Sequence, residues 1–366
     1  MKITKIETIT IGLPFENPGP ESSFAIADKN ILKSLLIRIE TDKGIIGWGE
    51  AFGYTSIETT KSALHSMVIP HLIGKNISSK NDIELINKEL QLKLHIFGRY
   101  GVTMFALSGI DIALWDILGK AENKSIAELL GGLKIESLTA YASLFLYNDA
   151  EATAKVSLKA KNEGYDIIKL HENTMAPIKS SRKAIGDTAL MVDVNCVWSE
   201  DHMEEIKNTL TEAKLYWLEE PIWPPENYSG LSKLRNQGFT IASGENACTA
   251  YQFEEMISNN AADILQPSVT KVGGISEIIK IAAIKKNNCR VVPHSPYFGP
   301  GFMATLQVIG ALTPDSEIER LYVDLKADLY SGASNIDTDG KILIPSGPGL
   351  GTESNLDIIE KYSVYL

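Results

Sequence analysis

Beyond Gly131-Gly132 the chain repeats one unit eight times: a short apolar run, then an amphipathic stretch of helical period. The runs occupy 138–145, 166–171, 189–195, 215–221, 239–246, 262–269, 289–296 and 317–324. Their starts lie mostly 23 to 29 residues apart, the length of one strand, one helix and two turns. Eight uninterrupted βα units predict an α/β fold closed into a (β/α) barrel of the TIM type. An open doubly wound sheet usually carries a Gly-rich phosphate turn after its first strand, and none follows here.

The first third reads differently. Residues 3–12 alternate as a strand, and the polar, Pro/Gly-containing stretch from Phe15 to Asn30 reads as a flexible loop. Residues 32–40 and 45–51 form a predicted hairpin through Thr41-Asp42-Lys43-Gly44. From Thr59 to Gly131 the period is helical, and MFALSGIDIALWDILGKA is apolar around most of its circumference, as a buried helix is. Strands followed by helices make an α+β unit. The expected organisation is an α+β capping domain over 1–130 and a barrel over 131–339, with the Gly/Pro-rich tail 340–366 returning to the cap.

A length of 366 residues suits two domains. A net charge of −11 argues against nucleic acid as a partner, because phosphate binding needs clustered Lys and Arg. Cys196, Cys248 and Cys289 show neither zinc spacing nor a disulfide framework, which fits a reducing compartment. The N-terminus alternates and lacks the h-region of a signal peptide. No apolar run was expected to reach the roughly 18 residues of a membrane span. The expectation is a cytoplasmic protein without a membrane partner.

In a barrel the strand ends converge on one mouth, so the polar residues there are the candidates for chemistry. They are Lys169 and His171 on the second strand, Asp193 and Asn195 on the third, Glu219 and Glu220 on the fourth, and Glu245 on the fifth. Ser268 follows on the sixth, His294 on the seventh and Glu319 on the eighth. Asp193, Glu219 and Glu245 are each 26 residues apart (219 − 193 and 245 − 219), one βα unit per step. Three carboxylates in one small volume cannot all stay ionised without a cation. Oxygen-only ligands favour a hard ion, Mg²⁺ first and Mn²⁺ as a substitute. An acid at a strand end is often only a helix N-cap, and it is the regular spacing that favours the metal. Glu220 should point away from Glu219 and support it. His65, His71, His95 and His202 carry no such context and read as ordinary surface or core residues.

The ordered set ALSGIDIALWDILGKA…LLGG, KLH (169–171), VDVN (192–195), LEEP (218–221), SGEN (243–246), DILQPSVTKVGG (263–274), PHSP (293–296) and PGLG (348–351) resembles the enolase superfamily. Within it the chain looks like the mandelate racemase/muconate lactonizing enzyme group, closer to the racemase branch, over almost its whole length. The resemblance implies a modified (β/α)7β-like barrel and one Mg²⁺ per subunit on Asp193, Glu219 and Glu245. It implies proton-transfer residues at Lys169, His171 and His294, and a Glu319 that hydrogen-bonds the substrate carboxylate. It also implies that cap loops at about 14–30 and 51–56, with Phe24 and Tyr54, shape specificity beside Asn195 and Ser268, and that the chain forms a homo-oligomer. One departure stands out: the branch usually backs the seventh-strand His with a sixth-strand Asp, and Ser268 holds that position here.

The chemistry so implied is abstraction of the proton α to a substrate carboxylate, through a metal-stabilised enediolate. Either Lys169 or His171 could be the base. A His294 without its acid suits donating a proton to a leaving hydroxyl, so the first expectation is dehydration of a sugar acid or related hydroxy acid. Racemisation or epimerisation of a 2-hydroxy or amino acid is the alternative, and a non-catalytic ligand binder on the same scaffold is the third reading.

Overall fold

A computed structural model describes residues 1–20, 30–284 and 289–364; Phe24 lies outside the described residues. The N-terminal unit is an antiparallel sheet of β1 (Ile3–Glu16), β2 (Ile31–Thr41) and β3 (Ile46–Ala51). Against it lie α1 (Ile57–Ala63), α2 (Lys80–Lys93), α3 (Val102–Glu122) and the short α4 (Ile126–Leu129). Strand β1 runs four residues past its expected end at 12. Leu13 and Pro14 still pair with Leu32 and Ile31, and Phe15, expected to open a polar loop, is buried. Proline lacks a donor but keeps an acceptor, and the Pro14 carbonyl takes the Lys326 N–H.

Glycines decide how closely α3 lies on this sheet. A Cβ at Gly49 would sit 2.0 Å from the Gly109 carbonyl oxygen, and one at Gly109 would sit 2.9 Å from Ala51. The GWGEA strand and the ALSGID helix are therefore small where they cross. By length and apolarity α3 would pass for a membrane span, contrary to the sequence expectation, but 89% of that window is buried within the protein. It is a core helix.

The second unit is a parallel barrel. Its strands are β4 (Ser137–Ser143), β5 (Ile167–Leu170), β6 (Ala189–Asp193), β7 (Trp217–Glu219), β8 (Ile241–Ser243), β9 (Ile264–Leu265), β10 (Arg290–Val291) and β11 (Ile318–Leu321). Between them run α5 (Ala150–Asn162), α6 (Met175–Ile185), α7 (Glu200–Glu212), α8 (Tyr228–Asn236), α9 (Thr249–Ser258), α10 (Ile275–Ile284) and α11 (Pro300–Leu312). Eight strands with seven intervening helices make the (β/α)7β form. The ladder runs β10-β9-β8-β7-β6-β5-β4-β11. Among the described residues no ladder joins β10 to β11, and side chains close that seam instead. Arg290 Nη2 meets Glu317 Oε2 at 2.7 Å, Ser316 Oγ donates to the Val291 carbonyl, and the Ser295 N–H donates to Glu319 Oε2 at 2.9 Å.

Strand period places the site. Tyr141, Ile167, Met191, Trp217, Ala242 and Ile264, one from each of six strands, and Val292 just past β10 pack together as the barrel's inner floor. Side chains two residues on face the same way. That step reaches Ser143, Lys169, Asp193, Glu219, Gln266 and His294. A polar layer thus stands directly on an apolar one.

After β11 the chain forms β12 (Asp324–Leu325), which extends the cap sheet through Phe15 and Glu16. It then forms β13 (Lys341–Leu343), antiparallel to β4, and ends in α12 (Leu356–Tyr362). Residues 341–343 therefore still belong to the barrel sheet, and the tail meets α3 at Gly349 and Leu350 and, through Glu353 Oε2, at Lys120 Nζ (3.1 Å). There the buried Asp116 carboxylate accepts the Trp48 N–H (2.8 Å) and the Leu350 N–H (2.9 Å) and pairs with Lys120 Nζ (2.9 Å). One carboxylate binds β3, α3 and the tail. Asp116→Ala strands two buried N–H groups and leaves Lys120 only Glu353 and the Ile46 carbonyl, so a loss of about 3–5 kcal/mol is expected. Urea unfolding checks it, and a loss under about 1 kcal/mol would contradict the clamp.

Candidate metal and active site

The carboxylates of Asp193, Glu219 and Glu245 meet above the apolar floor, each offering an oxygen within 4.8 Å of the others. Asp193 and Glu219 end adjacent strands and are register partners. Glu245 arrives differently: Gly244 at φ +120° turns the chain just past β8, so a residue of the opposite strand parity still faces inward. All three are buried. Asp193 Oδ2 makes no hydrogen bond; its nearest cationic atoms are His171 Nε2 at 3.3 Å and Lys169 Nζ at 3.7 Å. An orphaned, fully buried carboxylate oxygen at the junction of three acids fits a missing cation.

Lys169 stands in the middle of this charge. Its Nζ lies 2.9 Å from Glu219 Oε1 and 2.8 Å from Glu319 Oε1, over the Tyr141 ring at 5.5 Å. Burial alone would pull the ammonium's pKa down, but Glu219 and Glu319 raise it well above its ordinary value. Burial lifts the Glu219 carboxyl well up, against the pull of Lys169. Burial also works against Asp193, but the neighbouring His171 and Lys169 prevail and hold it below the usual range.

The two histidines flank the triad at its two ends. His171 faces Asp193, and its Nδ1 is held by the Leu144 carbonyl. Because a carbonyl only accepts, Nδ1 carries the hydrogen and Nε2 is the atom left for proton transfer. His294 Nε2 faces Glu245 Oε2 at 3.2 Å, while its buried Nδ1 has no hydrogen-bond partner. Burial lowers the His294 pKa, with Glu245 and Glu319 opposing. Ser268, in the place of the expected acid, is fully buried and shares its hydroxyl with Tyr297 Oη at 2.5 Å. It does not line the cavity, so its expected contact with substrate is not made directly.

Glu319 also departs from expectation. Oε1 accepts from Ser143 Oγ (2.8 Å) and Lys169, and Oε2 accepts the Ser295 N–H. Burial raises its pKa, but Lys169 and His294 outweigh that and hold it down to about 2. As placed it is an acceptor with no proton to offer a substrate carboxylate. Glu220, just past β7 at φ +42°, turns behind the triad, where Cys196 Sγ donates to its Oε2 at 3.5 Å. That is the supporting position expected for it.

Above these groups opens a cavity of about 650 Å³ between barrel and cap. Asn195 and Tyr54 line it, with Tyr54 stacked on Phe52 (ring centroids 6.0 Å apart). Sequence reasoning missed three of its walls. Lys271 lies inside the quoted DILQPSVTKVGG motif and Glu50 inside GWGEA, but neither falls on a barrel strand end. Tyr297 follows His294 by three residues and shows no periodic signal.

The sequence matches the family described as mandelate racemase/muconate lactonizing enzyme, N-terminal domain, over residues 17–131, and the enolase C-terminal domain-like family over 151–358. It is 31% identical to a D-galactarolactone cycloisomerase of Agrobacterium fabrum, covering 99% of both chains. It is 30% identical to an arabinonate dehydratase of Saccharolobus solfataricus, over 88% of this chain and 89% of that one. The structure is similar to that of a 3,6-anhydro-D-galactonate cycloisomerase from Zobellia galactanivorans, with a TM-score of 0.83, 28% identity and full coverage of both chains.

Lys169 offers a direct check on the electrostatics. In the presence of a chelator, Lys169→Met leaves Glu219, Glu319 and Asp193 facing one another, and a loss of about 3–5 kcal/mol in urea unfolding is expected. An unchanged midpoint would mean the acids are neutralised by something other than this ammonium.

Proposed function

The chain belongs to the mandelate racemase/muconate lactonizing enzyme family of the enolase superfamily, and from that premise we propose that it is a Mg²⁺-dependent enzyme, a lyase or isomerase, eliminating an oxygen β to the carboxylate of a sugar acid. The observation that carries this is the buried acid triad with one histidine at each end. Asp193, Glu219 and Glu245 would hold one Mg²⁺ per subunit, with Mn²⁺ able to substitute. When bound, the cation polarises the substrate carboxylate and stabilises the charge that proton removal puts there.

The side chains divide the remaining work. His171 Nε2, kept as acceptor by the Nδ1 bond to Leu144, takes the α-proton as the C–H pair moves into the enediolate. Lys169 supports this assignment, because an ammonium surrounded by carboxylates keeps its proton and instead stabilises the developing charge. The enediolate then collapses, the C–O bond to the neighbouring carbon breaks, and His294 protonates the departing oxygen. The resulting enol tautomerises to a 2-oxo acid.

If that oxygen leaves as free hydroxyl, the reaction is a dehydration. If it stays tethered through a lactone or anhydro ring, the same step is an isomerisation. The second form has an observation in its favour: Phe52, Tyr54, Phe145 and Phe298 line the cavity, and flat aromatic faces suit a ring. Racemisation is the weaker reading. His294 has no carboxylate behind its Nδ1, and the Ser268 hydroxyl is committed to Tyr297, so no acid on that side orients the ring or raises its basicity toward carbon. The exposed Leu92, Ile96, Phe97, Tyr100 and Tyr251 side chains support assembly as a homo-oligomer.

Incubation with Mg²⁺ and a panel of sugar acids and their lactones in D₂O, followed by NMR, tests the proposal. The expected product is a 2-oxo acid carrying deuterium at the new methylene. Asp193→Asn, Glu219→Gln, Glu245→Gln or excess chelator should abolish turnover. His171→Asn should cut it about 10²–10⁴-fold. Inversion at the α-carbon without elimination would overturn the reading in favour of a racemase.

A further inference from the structure

The fifth-strand acid has a second cationic neighbour, and the contact is unusually loose. Lys271 is buried and lines the cavity. Its Nζ lies 3.5 Å from Glu245 Oε1, well beyond the 2.7–2.9 Å typical of an ammonium–carboxylate hydrogen bond. Lys169 reaches its two acids at 2.8 and 2.9 Å in the same pocket, so crowding of ammoniums against acids is not what sets the longer distance. Two other groups take the Lys271 ammonium. Asn246 Oδ1 accepts from it at 3.1 Å, and the Phe52 ring lies under it with its centroid 4.4 Å away.

Phe52 belongs to the cap, one residue past β3, and is fixed from several sides. Its ring packs edge-on against Phe105 of α3 (centroids 5.0 Å apart) and stacks on Tyr54. Its carbonyl accepts from Thr60 Oγ1 at 2.9 Å, and its N–H reaches the barrel at the Thr270 carbonyl, next to Lys271. A firmly held aromatic face attracts an ammonium through its quadrupole. Any cation entering the triad must share Glu245 with Lys271, and like charges competing for one carboxylate weaken each other's binding.

We infer that Phe52 is a positioning residue that holds the Lys271 ammonium back from Glu245, so that the placement of the cap loop sets the affinity of the metal site. The inference rests on the triad being that metal site. Without the ring, Lys271 closes onto Glu245 and opposes the incoming ion. Without the ammonium, the ring has nothing to hold, and Phe52 no longer matters to the metal. Coupling of this kind is reciprocal: ion binding at Glu245 strengthens the loop's hold on Lys271 as much as the loop favours the ion.

Mn²⁺ binding measured by electron paramagnetic resonance, without substrate, tests this in four proteins: wild type, Phe52→Leu, Lys271→Met and the double variant. Phe52→Leu should bind Mn²⁺ about 3- to 10-fold more weakly. Lys271→Met should bind at least as tightly as wild type, and the double variant should match Lys271→Met within about twofold. Phe52→Tyr, which keeps the ring, should retain wild-type affinity; Phe52→Met replaces the leucine variant if that one unfolds. An equal loss from Phe52→Leu with and without Lys271, or no loss at all, overturns the inference and leaves the metal site standing. A wild-type protein that takes up no Mn²⁺ overturns both.

Discussion

Buried negative charge is the constraint around which this molecule is organised. Asp193, Glu219 and Glu319 are nearly inaccessible and the Glu245 side chain is 12% exposed, and at such separations carboxylates repel one another far more strongly than in water. Burial therefore demands counter-charge at short range. Lys169 meets that demand from the second strand, touching Glu219 and Glu319, while His171 and His294 face Asp193 and Glu245 at the two ends. One oxygen of Asp193 is left without a hydrogen bond. The acids outnumber the ammoniums among them, which is the charge balance a cation site has.

The barrel makes that concentration of charge possible, and its floor makes it tolerable. Parallel strands bring one residue each to the same level. The layer beneath, with Tyr141 and Trp217 packed edge to face at 5.8 Å, shuts out water from below. Trp217 also donates its indole N–H to Glu219 Oε2 at 2.9 Å, so the floor helps satisfy the layer it supports. The cap completes the enclosure through few but exact-fitting contacts: α3 laid on glycines, Asp116 binding three segments, and the Glu50 carboxylate accepting the Gly301 N–H at 2.9 Å where α11 begins. The last two join a segment of the first third to one from the far end of the chain.

Most of the barrel was legible because its signal is periodic. All eight runs became strands of one parallel sheet, although β9 and β10 are only two residues long. Gln266 and His294 lie beyond those strand ends yet follow the period-two direction. Lys169, Asp193 and Glu219 stand at matched levels for the same reason. Glu245 reached its place by a turn that strand parity does not encode, and only its 26-residue spacing pointed to it. The cap was less legible. The first strand was read as 3–12, but it runs on through Pro14, whose carbonyl takes the Lys326 N–H. Lys271, Glu50 and Tyr297 were not read as site residues because their positions depend on how cap and barrel meet. That is a tertiary fact with no period of its own. The engagement of Glu319 by three donors was hidden likewise, since two of them, Ser143 and Ser295, are unremarkable in sequence.

The division of labour between barrel and cap bears on what distinguishes a dehydratase from a cycloisomerase. Both begin with the same proton removal, and both end that half-reaction by expelling an oxygen from the adjacent carbon. On the proposed mechanism, everything the barrel supplies here, from the acid triad to Lys169, His171 and His294, would act on the carboxylate, the α-proton and the departing oxygen. None of it senses whether that oxygen is tethered. The difference must be read at the far side of the cavity, where Leu13, Leu32, Phe52 and Tyr54 of the cap face Phe145, Phe298 and Leu321 of the barrel. That surface is largely apolar, a poor match for an open-chain polyol, whose hydroxyls would lose water without gaining partners. A closed ring has already buried one oxygen in its own framework and presents C–H faces. On the proposed reading, that apolar side of the cavity is what favours the substrate with the ring.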